Sequence, residues 1–247
     1  MSRKTILLFD VDGTLTAARQ SITQKMREFM QETHKKVHLA VVGGSDLNKI
    51  TEQLGDIKDL CHEYDYVFSE NGLVGYHGTE KLPDASIGEK IGEDKLQDVI
   101  NFSLEYLSKI RLPLKRGTFI EYRKGMLNIS PIGRSCSLEE RNGFIEYEKK
   151  HPVRMALVAE LERRFSNYGL KFSIGGQISV DVFPVGWDKT YCLKYLNSEY
   201  DTIHFFGDKT MSGGNDYEIY EHPRTIGHTV TNPEDTIAKV KNVLENL

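Results

Sequence analysis

The chain has 247 residues, of which 39% are hydrophobic, 28% charged and 10% aromatic, a composition that excludes collagen-like, rod-like and disordered proteins. A net charge of −4 leaves no global basic field for nucleic acid or an anionic membrane surface, and no apolar run approaches the roughly 20 residues of a membrane span. Cys61, Cys136 and Cys192 stand far apart without C-x-x-C spacing, and the start lacks a signal-peptide shape, so neither a disulfide framework nor a thiolate zinc site is expected and the expected location is cytoplasmic.

Thr5–Phe9 is continuously apolar and runs into Asp10, which reads as a strand buried on both faces, the kind found in parallel sheets. Ser21 and Gln24 have capping-box spacing and predict a helix to about Lys36 with Met26, Phe29 and Met30 as its apolar stripe. Val37–Val42 repeats the buried-strand pattern, enters Gly43-Gly44-Ser45-Asp46 and predicts a second helix to about Leu54; Tyr64–Phe68 predicts a third strand, and Asn71-Gly72 a turn into a short hairpin at Leu73–Tyr76.

Near Pro83 the pattern changes. A long amphipathic helix (about Gly92 to Ile110) leads to alternating strands at Thr118–Arg123 and Met126–Ser130, then a helix capped by Ser137 with Glu140, another after Pro152, and strands Leu170–Ile174 and Gln177–Phe183 about Gly175-Gly176. From Asp188 the earlier style returns, with a helix, the buried strand Thr202–Phe206, a glycine-rich loop and a last helix from about Pro233. The expected architecture is α/β, a parallel-sheet core made of residues 1–83 and 186–247 interrupted by an inserted α+β domain at 84–185. The insert carries 16 Lys+Arg against 14 Asp+Glu and the remainder 16 against 22, so the halves differ in sign, as suits an anionic ligand bridged to a metal.

Ligand crevices of open α/β sheets lie at the carboxyl ends of strands, where Asp10, Ser45 and Asp208 fall; the pair Asp10 and Asp12, completed by Asp208, suits a hard divalent cation such as Mg²⁺ beside a phosphate. In Gln177–Phe183, Ile178, Val180 and Val182 point one way while Ser179 and Asp181 point the other, leaving a polar face that wants a ligand, and arginine's planar fork suits bidentate phosphate recognition. The histidines, His204 and His228 among them, show no metal-ligand spacing and are expected as packing or surface residues.

The run Asp10-Val-Asp-Gly-Thr-Leu-Thr16 and the loop Gly207-Asp208-Lys-Thr-Met-Ser-Gly-Gly-Asn-Asp216 resemble the haloacid-dehalogenase (HAD)-like phosphotransferases. That resemblance implies a HAD-like Rossmannoid core with a cap domain, Asp10 as nucleophile, Asp12 as general acid/base, Ser45 and Lys189 as phosphate-binding groups, Asp10, Asp12 and Asp208 as Mg²⁺ ligands, and Asn215 and Asp216 in support. Val41–Asp46, Gly117–Ser137, Phe172–Pro184 and Phe205–Met211 are further similar to the eukaryotic α-phosphomannomutase family. Over nearly the whole chain, this likeness implies an isomerase interconverting mannose 6-phosphate and mannose 1-phosphate through a hexose 1,6-bisphosphate, feeding GDP-mannose synthesis and accepting glucose phosphates as a side activity. It implies sugar-phosphate contacts at Arg19, Arg123, Arg134, Arg141, Ser179 and Asp181, a homodimer formed through the cap, and a second cation loop at Tyr220, His222 and Thr225, where His222 departs from the family's Asp. The competing expectation is a sugar-phosphate phosphatase of the same superfamily, which shares the core motifs and differs in admitting water.

Overall fold

The computed structural model describes residues 4–18 and 20–247. In chain order, β1 (Thr5–Phe9), α1 (Gln24–His34), β2 (His38–Val42), α2 (Leu47–Leu54), α3 (Ile57–Glu63), β3 (Tyr66–Ser69), β4 (Val74–His77) and β5 (Glu80–Lys81) come first. They are followed by α4 (Ile87–Ile91), α5 (Glu93–Lys109), β6 (Ile120–Tyr122), β7 (Leu127–Ile129), α6 (Leu138–Glu148), α7 (Val153–Phe165), β8 (Leu170–Gly175) and β9 (Ser179–Pro184). The chain ends with α8 (Leu193–Leu196), β10 (Thr202–Gly207), α9 (Tyr217–Tyr220), β11 (Ile226–Thr229) and α10 (Pro233–Glu245). Two compact units result, Met1–Asp84 with Gly186–Leu247, and Ala85–Val185. Among the described residues no helix is long and apolar enough to cross a membrane.

The first unit is built on a seven-stranded sheet in the order β11-β10-β1-β2-β3-β4-β5. Its first five strands are parallel, and β4 and β5 add antiparallel to the edge. The strands are apolar without alternation because both faces are covered: Leu7, Phe9, Leu39, Val41 and Phe206 enter one core with α1 and α10, and Ile6, Leu8, Ala40, Val42 and Phe205 the opposite one with α8. Each of these Leu, Ile, Val and Phe side chains contributes roughly 1.5–3 kcal/mol by leaving water, which favours the register that buries them. Since Phe9 pairs with both Phe206 and Val41, the segments just beyond β1, β10 and β2 emerge side by side, and these carry Asp10, Asp208 and Gly43–Ser45.

Near the edge of this sheet, His204 Nδ1 and His228 Nε2 lie 2.9 Å apart, and His228 continues a ring stack through Phe206 to Phe9. Burial, and then the neighbouring His204 and Lys239, push His228 down to about 4. These histidines are packing residues, but paired ones.

Three local expectations change. Helix α1 is capped by Thr23, whose hydroxyl accepts from Met26 N at 3.2 Å, not by Ser21. Ile22 N is drawn to Gln53 O and Ser21 Oγ to Glu52 O, and these tertiary bonds pull Ser21 out of the capping position. A short helix, α3, appears after Asp56, which caps it at Lys58 N. The expected helix after Asp188 is a single 3₁₀ turn, Lys189–Cys192, followed by one turn of α8.

The second unit holds a four-stranded antiparallel sheet, β6-β7-β9-β8, with helices packed on it. Leu127, Ile129, Val180 and Val182 are fully buried. The register places Glu121 opposite Asn128, Asn128 opposite Asp181 and Asp181 opposite Ser173, so one row of polar side chains crosses all four strands on one face. Ser137 and Glu140 form the expected capping box on α6. Thr118, at φ +56°, stands in the left-handed region and starts β6 two residues later than the alternation predicts.

Candidate active site

Immediately past β1 the backbone folds into a tight turn, with the N–H groups of Thr14, Leu15 and Thr16 all directed to Val11 O. Asp10 is anchored by its own N–H to Phe206 O at 2.9 Å and is 4% exposed. Gly13, at φ +91°, comes so close to Asp208 that a Cβ there would overlap the Asp208 carboxylate. The turn thus needs glycine twice over, for its dihedral and for the space it leaves.

Opposite Asp10, the 3₁₀ turn opened by Asp188 delivers Lys189, whose ammonium is ion-paired to both Asp10 and Asp216 and is 1% exposed. Burial alone would lower its pKa, but the two carboxylates outweigh that and hold it above the ordinary lysine range. Asp10 is shifted up: burial raises it, Lys189 pulls it back, and Asp216 and Asp208 raise it again. Asp216 also accepts Lys209 N at 3.0 Å, so the glycine-rich loop is tied to the same charge centre. Asn215, its neighbour, is exposed.

Among the described residues, Asp10, Asp208 and Asp216 form the acidic group able to hold a metal ion, their ligand atoms lying within 4.8 Å of one another. Lys189, with Lys209 near Asp208, does not balance three carboxylates, and Asp208 Oδ1 is buried with no hydrogen-bond partner. Hard oxygen donors, excess negative charge and an orphaned acceptor fit a divalent cation such as Mg²⁺. Beside the expected Asp10 and Asp208 this group contains Asp216, and the side chain of Asp12 is hydrogen-bonded to Gln53. Its Oδ1 accepts from Gln53 Nε2 at 3.0 Å, and the same amide reaches Thr16 Oγ1 at 3.3 Å. Ser45 is exposed after β2, and its carbonyl accepts from Glu70 N at 2.9 Å.

In the second unit the polar row collects the expected sugar-phosphate contacts. Arg123 and Arg134 both meet Glu121 Oε2, and Arg134 Nη1 donates to Asn128 Oδ1 at 2.8 Å. Asn128 Nδ2 donates in turn to Asp181 Oδ1 at 2.6 Å. Burial raises Asp181 despite that bond and the nearby guanidiniums of Arg123, Arg134 and Arg154. Ser179, two residues from Asp181 on β9, is buried and its carbonyl accepts from Arg154, which an ion pair with Glu148 holds in place. Arg141 stands on α6, partly exposed and outside this chain of bonds. Arg19 lies outside the described residues.

The loop Tyr220–Thr225 uses its own groups. Thr225 Oγ1 donates to the carbonyls of Ile219 and His222, and His222 Nδ1 accepts from Arg224 N at 3.2 Å. The His222 carbonyl and imidazole are thus engaged within the loop, and position 222 offers no carboxylate to a hard cation.

Gln53, Glu121 and Asn128, which bond to candidate residues, are partners that sequence reasoning missed. A period-2 reading could flag Glu121 and Asn128 as outward-facing strand residues, but only the β6-β7-β9 register puts them beside the arginines.

The family profile described as "Eukaryotic phosphomannomutase" matches residues 26–246. A "Probable phosphomannomutase" of Caenorhabditis elegans is 62% identical over 100% of this chain and 98% of its own length, and a "Phosphomannomutase" of Arabidopsis thaliana 58% identical over 96% and 95%. Among solved structures, an Aspergillus fumigatus trehalose-6-phosphate phosphatase superposes with a TM-score of 0.58 at 14% identity, covering 99% of this chain and 94% of that one. A haloacid dehalogenase-like hydrolase from Bacteroides thetaiotaomicron gives 0.59 at 16% identity over 98% and 100%. The folds agree at identities too low to speak of activity; the sequence matches are far closer, and by them this chain is a member of the eukaryotic phosphomannomutase family.

Proposed function

We propose that the chain is a phosphomannomutase, an isomerase that interconverts mannose 6-phosphate and mannose 1-phosphate through an aspartyl-phosphate and a hexose 1,6-bisphosphate. On this reading it accepts glucose phosphates as a side activity, and it works in the cytoplasm as a homodimer formed through the insert, supplying GDP-mannose synthesis. The observation that carries it is the buried Asp10 carboxylate, ion-paired to Lys189 and flanked by Asp208 and Asp216.

Asp10 attacks phosphorus of the bisphosphate; the bond from phosphorus to the sugar oxygen breaks, and Asp12 gives that oxygen a proton. In the reverse transfer Asp12 takes the proton of the accepting hydroxyl, and Asp10 returns the phosphoryl group to it. Gln53 fixes the Asp12 carboxylate for this exchange through its 3.0 Å hydrogen bond. Lys189 neutralises the nucleophile and the phosphoryl oxygens without solvent competition, since it is fully buried. Mg²⁺ held by Asp10, Asp208 and Asp216 would offset phosphoryl charge. Ser45 is assigned to the transferring phosphate, and Arg123, Arg134, Arg141, Ser179 and Asp181 to the sugar and its other phosphate.

The test is ³¹P NMR of mannose 1-phosphate with catalytic glucose 1,6-bisphosphate and Mg²⁺. A growing mannose 6-phosphate signal is expected; accumulation of inorganic phosphate in its place would make the protein a phosphatase.

A further inference from the structure

Three N–H groups converge on a single oxygen of the second unit: Arg123 Nε at 2.8 Å, Arg123 Nη2 at 2.6 Å and Arg134 Nε at 3.0 Å all meet Glu121 Oε2. This spends the planar edges with which two arginines would grip an anion. The two carboxylates of the row differ in how firmly they are held. Asp181 is largely buried and pinned by Asn128, whereas the Glu121 side chain is 38% exposed and can swing into water. An exposed carboxylate is a weak competitor for guanidinium, and a phosphate dianion brings twice the charge and three acceptor oxygens.

We propose that Glu121 is a displaceable counter-ion: it occupies the guanidinium edges of Arg123 and Arg134 that a hexose phosphate's phosphoryl group takes, yields them on binding and reclaims them on release. The proposal rests on the mutase reading for its substrate, and that reaction gives the device a purpose. The two ends of the sugar change places in each cycle, so the arginines must let go of one phosphate before they hold the other. Tighter uniform binding would lower KM while slowing that exchange. Glu121 trades affinity for release, and it keeps the arginines in position between ligands.

The test is titration with inorganic phosphate, followed through the side-chain ¹⁵Nε–H signals of Arg123 and Arg134, in the parent and in Glu121→Gln and Glu121→Asp. In Glu121→Gln the phosphate Kd is expected to fall on the order of tenfold, with KM for mannose 1-phosphate falling alongside it and kcat dropping severalfold. Glu121→Asp keeps the charge and should stay within about twofold of the parent. Unchanged or weaker phosphate binding in Glu121→Gln would overturn the proposal, because Glu121 would then only hold the guanidiniums still. So would loss of folding in that variant, or an equal gain in Glu121→Asp. If the parent forms no isomer while Glu121→Gln still gains phosphate affinity, the counter-ion stands and the mutase reading falls.

Discussion

At the carboxyl end of the parallel sheet the Lys189 side chain is 1% exposed and clasped by two carboxylates, while on the four-stranded sheet Arg123 is 39% exposed and shares one oxygen of Glu121 with Arg134. The first arrangement is fixed and dry. Removing Lys189 leaves two carboxylates that water cannot reach, and a centre so fixed suits chemistry in which charge must be stabilised without reorganisation. The second is half-solvated, with two guanidiniums sharing one exposed carboxylate, so exchanging one anion for another costs little, which suits recognition of a group that comes and goes. One chain thus keeps its cations in two forms, and the exposure of the partner carboxylates tells them apart.

The sharpest way to break this contrast is Asp10→Asn. It should lower isomerisation by on the order of 10⁴-fold or more and abolish labelling of the protein by radioactive hexose bisphosphate, and retained label would locate the nucleophile elsewhere. Lys189→Met comes next, since it leaves Asp10 and Asp216 buried and unpaired; a loss of about 3–5 kcal/mol in denaturant unfolding is expected along with activity. A third handle is the cation. Saturating Mg²⁺, about 100-fold over its Kd, should raise stability by about 2.7 kcal/mol in a melting experiment and do nothing for Asp208→Asn, whereas equal stabilisation of both would remove Asp208 from the ligand set.

Acid should test the core by a different route. His228 is pushed down to about 4, so between pH 6.5 and 4 the unfolded chain takes a proton there that the folded one refuses. The contribution of His228 to stability is therefore full above pH 6.5, declines as pH falls through that window and is lost below 4. His228→Phe, which keeps the ring stack, should flatten this slope in urea titrations at successive pH values. The smallest effect on folding belongs to the arginine row: Arg123→Ala should cost no more than about 1 kcal/mol while raising KM for mannose 1-phosphate roughly tenfold. A large loss of stability there would mean that the row is as rigid as the core.

How much of this could be read beforehand depended on whether a residue's environment is local. Thr5–Phe9 and Thr202–Phe206 announce buried strands because both faces are apolar, and the carboxylate after each announces the site. The Ser137–Glu140 capping box is contained in four residues and appears as expected. The cap of α1 does not, because its fate is decided by Glu52 and Gln53, some thirty residues on. Glu121 and Asn128 were invisible as partners for the same reason: strand alternation gives the face, but which strands are neighbours is settled only by the tertiary fold. The pairing of Asp216 with Lys189 is equally non-local, since only the folded loop brings the two together.

Gly13 has one more consequence. A single methyl group at that position would have to evict the Asp208 carboxylate from beside the turn, although the residue itself bears no functional group. Position 13 is therefore a point at which catalysis could be silenced while the arginine row, in the other unit, is left untouched. Gly13→Ala is thus a means to ask whether the arginine row takes up a phosphate when the chemistry at Asp10 is silenced.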